Sequence, residues 1–200
     1  MKKITIGTKS GDIKFLKHKY KKYKQFVKIQ IKSKIYTLEI PLIGQFQLKN
    51  LFMAVLAASS CGLSLDRIFG KIQKIRPVSG RLECIANLKN NSNIIVDFAH
   101  TPKALEESLI ALKKQFNKKI VIVFGCGGQR DEEKRFKMGM IASKYCRKII
   151  ITDDNPRKES PKKIRKSILR GCKKNSKEIG NREIAIKTAF KELKSNEVLL

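Results

Sequence analysis

Residues 93–116 read NIIVDFAHTPKALEESLIALKKQF, and the change of period inside this stretch decides the fold. NIIVDF, at 93–98, is a short apolar run of the kind that forms a buried strand. Thr101 is placed to cap a helix that Pro102 opens, since proline lacks an N–H that the first helical residue would leave unpaired anyway. Leu105, Leu109, Leu112 and Phe116 then recur at helical spacing and predict one buried face. The unit is strand, polar turn, helix.

It repeats toward the C-terminus. KIVIVFG (119–125) predicts a second strand, followed by a glycine-rich loop and a helix facing inward through Met138, Ile141, Ala142 and Tyr145. KIIITD (148–153) predicts a third, followed by Ser160 as cap, Pro161 at the first helical position, and Ile164, Ile168, Leu169 and Cys172 as the inner face. A helix from about Glu183 to Leu193 leads to EVLL (197–200), which has the pattern of a further strand. Alternation of this kind implies an α/β fold with a mainly parallel sheet covered by helices. Right-handed crossovers put every parallel strand's carboxyl end on one edge, where open α/β sheets bind ligands. Three polar clusters follow strands and are expected to meet there: Asp97 with His100, the loop Gly125–Arg130, and the turn Asp153–Arg157.

Upstream the pattern differs. Residues 27–40, VKIQIKSKIYTLEI, alternate apolar and polar about Lys32–Lys34 and predict a β-hairpin. Leu48, Leu51, Val55 and Ala58 lie on one helical face; Gly62 should end that helix, and Ser64 should cap another running toward Ile75. The Pro- and Gly-bearing RPVSGR (76–81) reads as a hinge, which sets the expected domains at 1–78 and 79–200.

Composition narrows the function classes. No apolar run follows the basic N-terminus, and the longest one, Leu51–Leu63, is shorter than the roughly 20 residues of a membrane span, so a cytoplasmic protein is expected. Five scattered cysteines without a C-x-x-C pair indicate reduced thiols and lack the common zinc spacings; no metal site is expected within the chain. The net charge of +28 invites a nucleic-acid reading. The lysines are spread over the whole length, however, so no specific nucleic-acid partner is expected. In residues 15–26, FLKHKYKKYKQF, the aromatics Tyr20, Tyr23 and Phe26 interleave with lysines, as either a base-stacking surface or an ordinary exposed basic strand or loop.

The loop GCGGQR (125–130) lacks the Lys-Ser/Thr of a phosphate-binding P-loop, and Arg130 stands where a dinucleotide fingerprint needs glycine. It is either a tight turn with no ligand or a support that projects Arg130 at a carboxylate or phosphate. The following DEEKR (131–135) reads as a solvated helix start. In TDDNPRKES (152–160), Pro156 keeps Asn155 out of the helical region and pre-shapes the turn. Asp154 can receive an ammonium, Arg157 can clamp a carboxylate and Asn155 can bind either, a set that suits an amino acid. An Asx turn capping the next helix is the competing reading.

PLIGQFQLKN, GRLE, VDFAHTP, FGCGGQRD and DDNPR occur in that order, and from about residue 39 to residue 200 the chain resembles the C-terminal half of a Mur ligase. The resemblance implies a Rossmann-like C-terminal amino-acid-binding domain preceded by the end of a central ATP-binding domain, here the β-hairpin and helices. It further implies a peptidoglycan-precursor enzyme that uses ATP and Mg2+ to activate a carboxylate as an acyl phosphate, which an incoming amine attacks. By resemblance, Asn50 belongs to a nucleotide-side helix, Arg81 and Asp97 are the ATP-contacting and catalytic pair, and His100 either borders the nucleotide or is simply a histidine at a helix start. The D-N-P-R motif is similar to that of the branch adding meso-diaminopimelate to UDP-N-acetylmuramoyl-L-alanyl-D-glutamate. Arg157 and Arg130 would then contact the distal carboxylate, and Asp154, Asn155 and Pro156 would hold the distal amino-acid head. Gln47 stands where many relatives carry asparagine. The family's P-loop and magnesium ligands, and the G-K-G-H-E segment beyond the last strand, have no counterpart here. The chain is therefore expected to be a fragment, without ligase activity by itself and with a separate chain as a candidate source of the N-terminal half. Lysine-adding or folylpolyglutamate-type ligases are the nearest alternative; a degenerate basic binding protein is the more distant one.

Overall fold

In the computed structural model, which describes residues 5–7, 11–173 and 175–200, the chain divides into two compact units. One runs to Ser79 and takes in Lys114–Phe116; the other comprises Gly80–Lys113 and Asn117–Leu200.

The first unit holds a sheet in the order β1 (Ile6–Gly7), β2 (Ile13–Lys21), β3 (Lys24–Ile31), β4 (Lys34–Ile40). The expected hairpin is β3–β4, closed at the Ile31–Lys34 pair around Lys32 and Ser33, with Lys32 at φ 53°. The sheet is wider than the sequence suggested, because the basic stretch supplies β2 on the other side of β3. Tyr20 pairs with Gln25 whereas Phe26 pairs with Lys19. Alternation sends the two aromatics to opposite faces, so Tyr20 and Phe26 do not share one base-stacking surface. Val27, Ile29, Leu38 and Ile40 pack with Leu48, Phe52 and Val55 of α1 (Gln45–Ser60) and with Phe69 and Ile72 of α2 (Leu65–Ile72). Gly62, at φ 94°, follows the end of α1, and the Ser64 hydroxyl accepts from the Arg67 N–H at the start of α2. That helix stops a turn short of Ile75. Gln25 is fully buried; its amide donates to the carbonyls of Leu42 (2.7 Å) and Gly44 (3.1 Å) and its oxygen accepts from His18 Nε2. This fixes the entry to α1, the helix that carries Gln47 and Asn50.

The second unit is an α/β layer structure around a sheet ordered β5 (Glu83–Asn87), β6 (Asn93–Val96), β10 (Glu197–Leu199), β7 (Lys119–Phe124), β8 (Lys148–Ile151), β9 (Ser176–Glu178). All neighbours pair in parallel except β5 with β6. α3 (Pro102–Phe116), α4 (Glu133–Tyr145), α5 (Pro161–Leu169) and α6 (Arg182–Lys191) connect the parallel strands. Thr101 caps α3 through the Ala104 N–H, and Leu105, Leu109 and Leu112 are buried on its predicted face. Ser160 occupies the N-cap of α5, but its side chain makes no capping bond. Ala185 and Ala189 of α6 pack on Val121, Ile150 and Leu199; small side chains there let the helix approach the sheet closely.

The edge strands β5 and β9 were not expected, and neither was the insertion of β10 between β6 and β7. At the amino edge β10 is held by a buried ion pair: Glu197, its first residue, accepts from Arg147 Nη2 at 2.7 Å and from the Lys194 N–H at 2.9 Å. Register across the sheet pairs Ile94 with Leu199 and Leu199 with Val121, while Phe124 pairs with Ile151. Counting along the strands, Asp97, Gly125 and Thr152 leave the sheet at nearly the same level.

Candidate functional site

Parallel strands lie about 4.8 Å apart. The loop after β7 and the turn after β8 are therefore immediate neighbours, and Asp97, two strands from β7 across β10, sits about 10 Å from the glycine loop. Between them opens a cavity of about 500 Å³ at the carboxyl edge, lined by Asp97, Phe98, His100, Gly125, Asp154 and Arg182 among apolar residues that include Ile122, Ile186 and Leu199.

The glycine loop and the DNPR turn are in direct backbone contact. The Gly128 N–H donates to the Asn155 carbonyl at 2.8 Å. A Cβ on Gly128 would stand 1.9 Å from the Pro156 oxygen, and one on Gly125 2.4 Å from the Thr152 oxygen. The glycines are there because one loop lies flat on the other.

Within the turn, the two aspartates part ways. The Asp153 N–H and the Thr152 hydroxyl both donate to the Gly180 carbonyl. The Asp153 carboxylate pairs with Arg165, whose Nε also donates to Glu178 Oε1 at 2.7 Å. Asp153 thus ties α5 and β9 to the turn, and Asp154 is left exposed at the cavity. Asn155 Oδ1 accepts from the Arg157 N–H at 3.2 Å. This Asx turn shapes the loop at Arg157, which lies in the left-handed region at φ 51°; it does not cap α5. Arg157 Nη1 lies 3.5 Å from the Gln129 carbonyl, next to Arg130. Arg130 and Arg157 are both exposed, and among the described residues neither has a carboxylate partner. The two arginines therefore stand on adjoining loops.

Arg135 and Glu159 escaped the sequence reading. Arg135 is 2% exposed despite lying in a charged run. Its Nη2 pairs with Glu159 at 2.9 Å and approaches the Gly127 carbonyl at 3.5 Å, and Glu159 also accepts the Gln129 N–H. The signal was helical spacing: Arg135 stands one turn before Met138 and extends the inward stripe Met138–Ala142. Arg182 was also missed; it lines the cavity, and its Nη1 donates to the Asp153 carbonyl at 3.3 Å.

The Arg135 guanidinium, and then the Gln129 N–H, hold the Glu159 carboxyl below the usual 4.5. Because the folded-state value is the lower one, this contribution to stability is present above the unfolded value and is lost as pH falls through the folded one. Amide protection at Gln129, corrected for intrinsic exchange, is therefore expected to hold from neutral pH to about pH 5 and to fall only in more acid solution. A fall between neutrality and that point would contradict it.

Near β6, Asp97 Oδ1 accepts the Leu82 N–H at 3.0 Å and Oδ2 accepts the Ser108 hydroxyl at 2.6 Å. Leu82 is fully buried at φ 45°, a conformation rare for a bulky residue. Asp97 holds that kink and with it the placement of Arg81. The Arg81 guanidinium lies 4.9 Å from the centre of the Phe98 ring, and Phe98 meets the His100 ring edge-on at 5.5 Å. Together they form an exposed aromatic and cationic surface. Asn50 lies on α1 of the first unit and is exposed. Among the described residues no three His, Cys, Asp or Glu side chains gather as a metal site, and no helix is long and apolar enough to cross a membrane.

Residues 80–200 match the family model described as Mur ligase, glutamate ligase domain. Over its whole length the chain is 43% identical to UDP-N-acetylmuramoyl-L-alanyl-D-glutamate--2,6-diaminopimelate ligase of Rickettsia rickettsii, covering 41% of that protein. It is 38% identical to the protein of the same name in Rhizobium meliloti, with 98% of the chain and 40% of the relative covered. A solved structure of a 2,6-diaminopimelate ligase superposes with a TM-score of 0.67 at 29% identity, over 96% of this chain and 39% of that one. The chain thus spans about two fifths of the length of the curated relatives it matches.

Proposed function

The chain belongs to the Mur ligase family, and from that premise we propose that it supplies the amino-acid-binding part of an ATP-dependent ligase that adds meso-diaminopimelate to UDP-N-acetylmuramoyl-L-alanyl-D-glutamate. The observation that carries this reading is the pair Arg130 and Arg157, exposed on two loops in backbone contact and without carboxylate partners among the described residues. A diaminopimelate differs from lysine by a second carboxylate, and paired guanidiniums are the groups that recognise one. Asp154 faces the cavity as a single acceptor for the ammonium of the same amino-acid head. The Asn155 oxygen is taken by the turn, so its amide nitrogen is the part left to donate to a carboxylate. Pro156 keeps the turn rigid before the ligand arrives.

Nucleotide contact falls to the other side of the edge. Arg81 over Phe98, with His100 beside it, suits a planar base or phosphate oxygens. Asp97 acts there through Leu82, by holding the segment that presents Arg81. Asn50 is the nucleotide-side candidate of the first unit. Among the described residues no cluster of carboxylates gathers that would hold a magnesium ion. The chemistry left to these residues is binding and orientation: the amine is held in line while charge on the activated carboxylate is met by fixed cations. Such a role belongs in the cytoplasm, where nucleotide-linked precursors are made.

Arg157→Ala is expected to remove the preference for meso-diaminopimelate over L-lysine, at a cost of about 2 kcal/mol or more in binding the dicarboxylate. Titrations of the wild-type and variant chains followed by amide shifts read this directly. Equal affinity of the two chains for diaminopimelate would sink the assignment.

A further inference from the structure

Both arginines proposed to read the second carboxylate are exposed on loops, and Arg157 reaches across only by a long contact, Nη1 to the Gln129 carbonyl at 3.5 Å. What fixes their relation lies underneath. Arg135, projecting from α4, is 2% exposed and forks between the Gly127 carbonyl and Glu159, and Glu159 in turn receives the Gln129 N–H. One buried guanidinium and one carboxylate thus join the residue before Arg130 to the residue two beyond Arg157. Backbone contact at Gly128 closes the same loops from the other side.

We infer that the Arg135–Glu159 pair sets the separation of Arg130 and Arg157, and so decides whether the site distinguishes an amino acid with a second carboxylate from one without. Arg135 and Glu159 are positioning residues, because neither lines the cavity and, among the described residues, Glu159 pairs with Arg135 rather than with Arg130 or Arg157. The selectivity part of the inference rests on the substrate reading above; the loop geometry does not. A bidentate site for a carboxylate needs its two donors at a fixed spacing, and a buried fork supplies that spacing better than exposed loops can. Lysine would instead be held by Asp154 and Asn155, which belong to a turn separately anchored through Asp153, Arg165 and Gly180.

The test uses the full 200-residue chain, with Glu159→Gln as the main variant, since it keeps shape and one acceptor oxygen while removing the charge. Arg135→Lys is the second variant; it keeps the charge but loses the fork. Two quantities are read: hydrogen exchange at the Gln129 amide, with Ile150 and Leu109 as core controls, and the ratio of affinities for meso-diaminopimelate and L-lysine from amide-shift titrations. For Glu159→Gln, exchange at Gln129 should rise about tenfold with core amides unchanged, and the affinity ratio should fall about tenfold. Arg135→Lys should fall between that variant and wild type in both. A purely structural role would weaken both ligands alike and leave the ratio unmoved, which would overturn the selectivity inference. Unchanged Gln129 exchange in Glu159→Gln would overturn the clamp itself. If wild type shows no preference for diaminopimelate while exchange responds as stated, the substrate reading falls and the clamp stands.

Discussion

Gly128→Ala is expected to abolish diaminopimelate binding while leaving the sheet intact. The added methyl would lie 1.9 Å from the Pro156 oxygen and 2.7 Å from its carbonyl carbon, so the two loops must move apart by more than an ångström to restore van der Waals contact. That movement breaks the 2.8 Å bond from the Gly128 N–H to the Asn155 carbonyl and spreads Arg130 from Arg157. Displacement of that order costs about 100-fold where geometry sets the interaction, enough to read as no shift across a titration. The stability cost should be about 1–3 kcal/mol, as for other overpacked positions, because the β7 and β8 cores lie below the contact. Calorimetric melting and shift titration of the same sample separate the two effects. Binding within a few-fold of wild type would show that the loops do not need to touch.

Arg147→Ala is expected to have the largest effect on the fold. Glu197 is 2% exposed and is the first residue of β10, the short strand that joins β6 to β7 in the middle of the sheet. Without Arg147 its carboxylate stays buried opposite no cation, retaining only the Lys194 N–H. Breaking a buried pair from one side costs roughly 3 kcal/mol, taken at the lower end because the Arg147 side chain keeps 27% of its exposure. For a unit of this size that lowers the melting temperature by about 10 °C. A change of a degree or two would mean that β10 is held by its apolar residues alone.

The sequence made the βα units legible because they are local. Thr101 and Pro102 mark the start of α3, and Leu105, Leu109 and Leu112 mark its buried face, all within about three turns. The convergence of Asp97, the glycine loop and the DNPR turn on one edge followed from parallel pairing and handedness without knowledge of strand order. Strand order itself was hidden. β10 is three residues long, and its place between β6 and β7 depends on partners 78 and 105 residues away. The glycines of residues 125–128 were legible as a tight turn but not as a backbone contact surface, since what they touch is a loop one strand over. Arg135 was passed over because DEEKR reads as solvent-facing by charge; its burial follows from the helical stripe, which begins one turn before Met138. The roles of the two aspartates at 153 and 154 could not be divided from sequence, because the division depends on Arg165 reaching back from α5.

Amide-shift mapping of the isotope-labelled chain with meso-diaminopimelate tests most directly whether the glycine loop and the DNPR turn form one site for a doubly charged amino acid. The expected result is a compact set of perturbations at residues 128–130 and 154–157, absent at α1 and weaker with L-lysine at Gln129 and Arg130. Perturbations scattered over the basic surface of β2 and β3, or identical maps for the two amino acids, would contradict it.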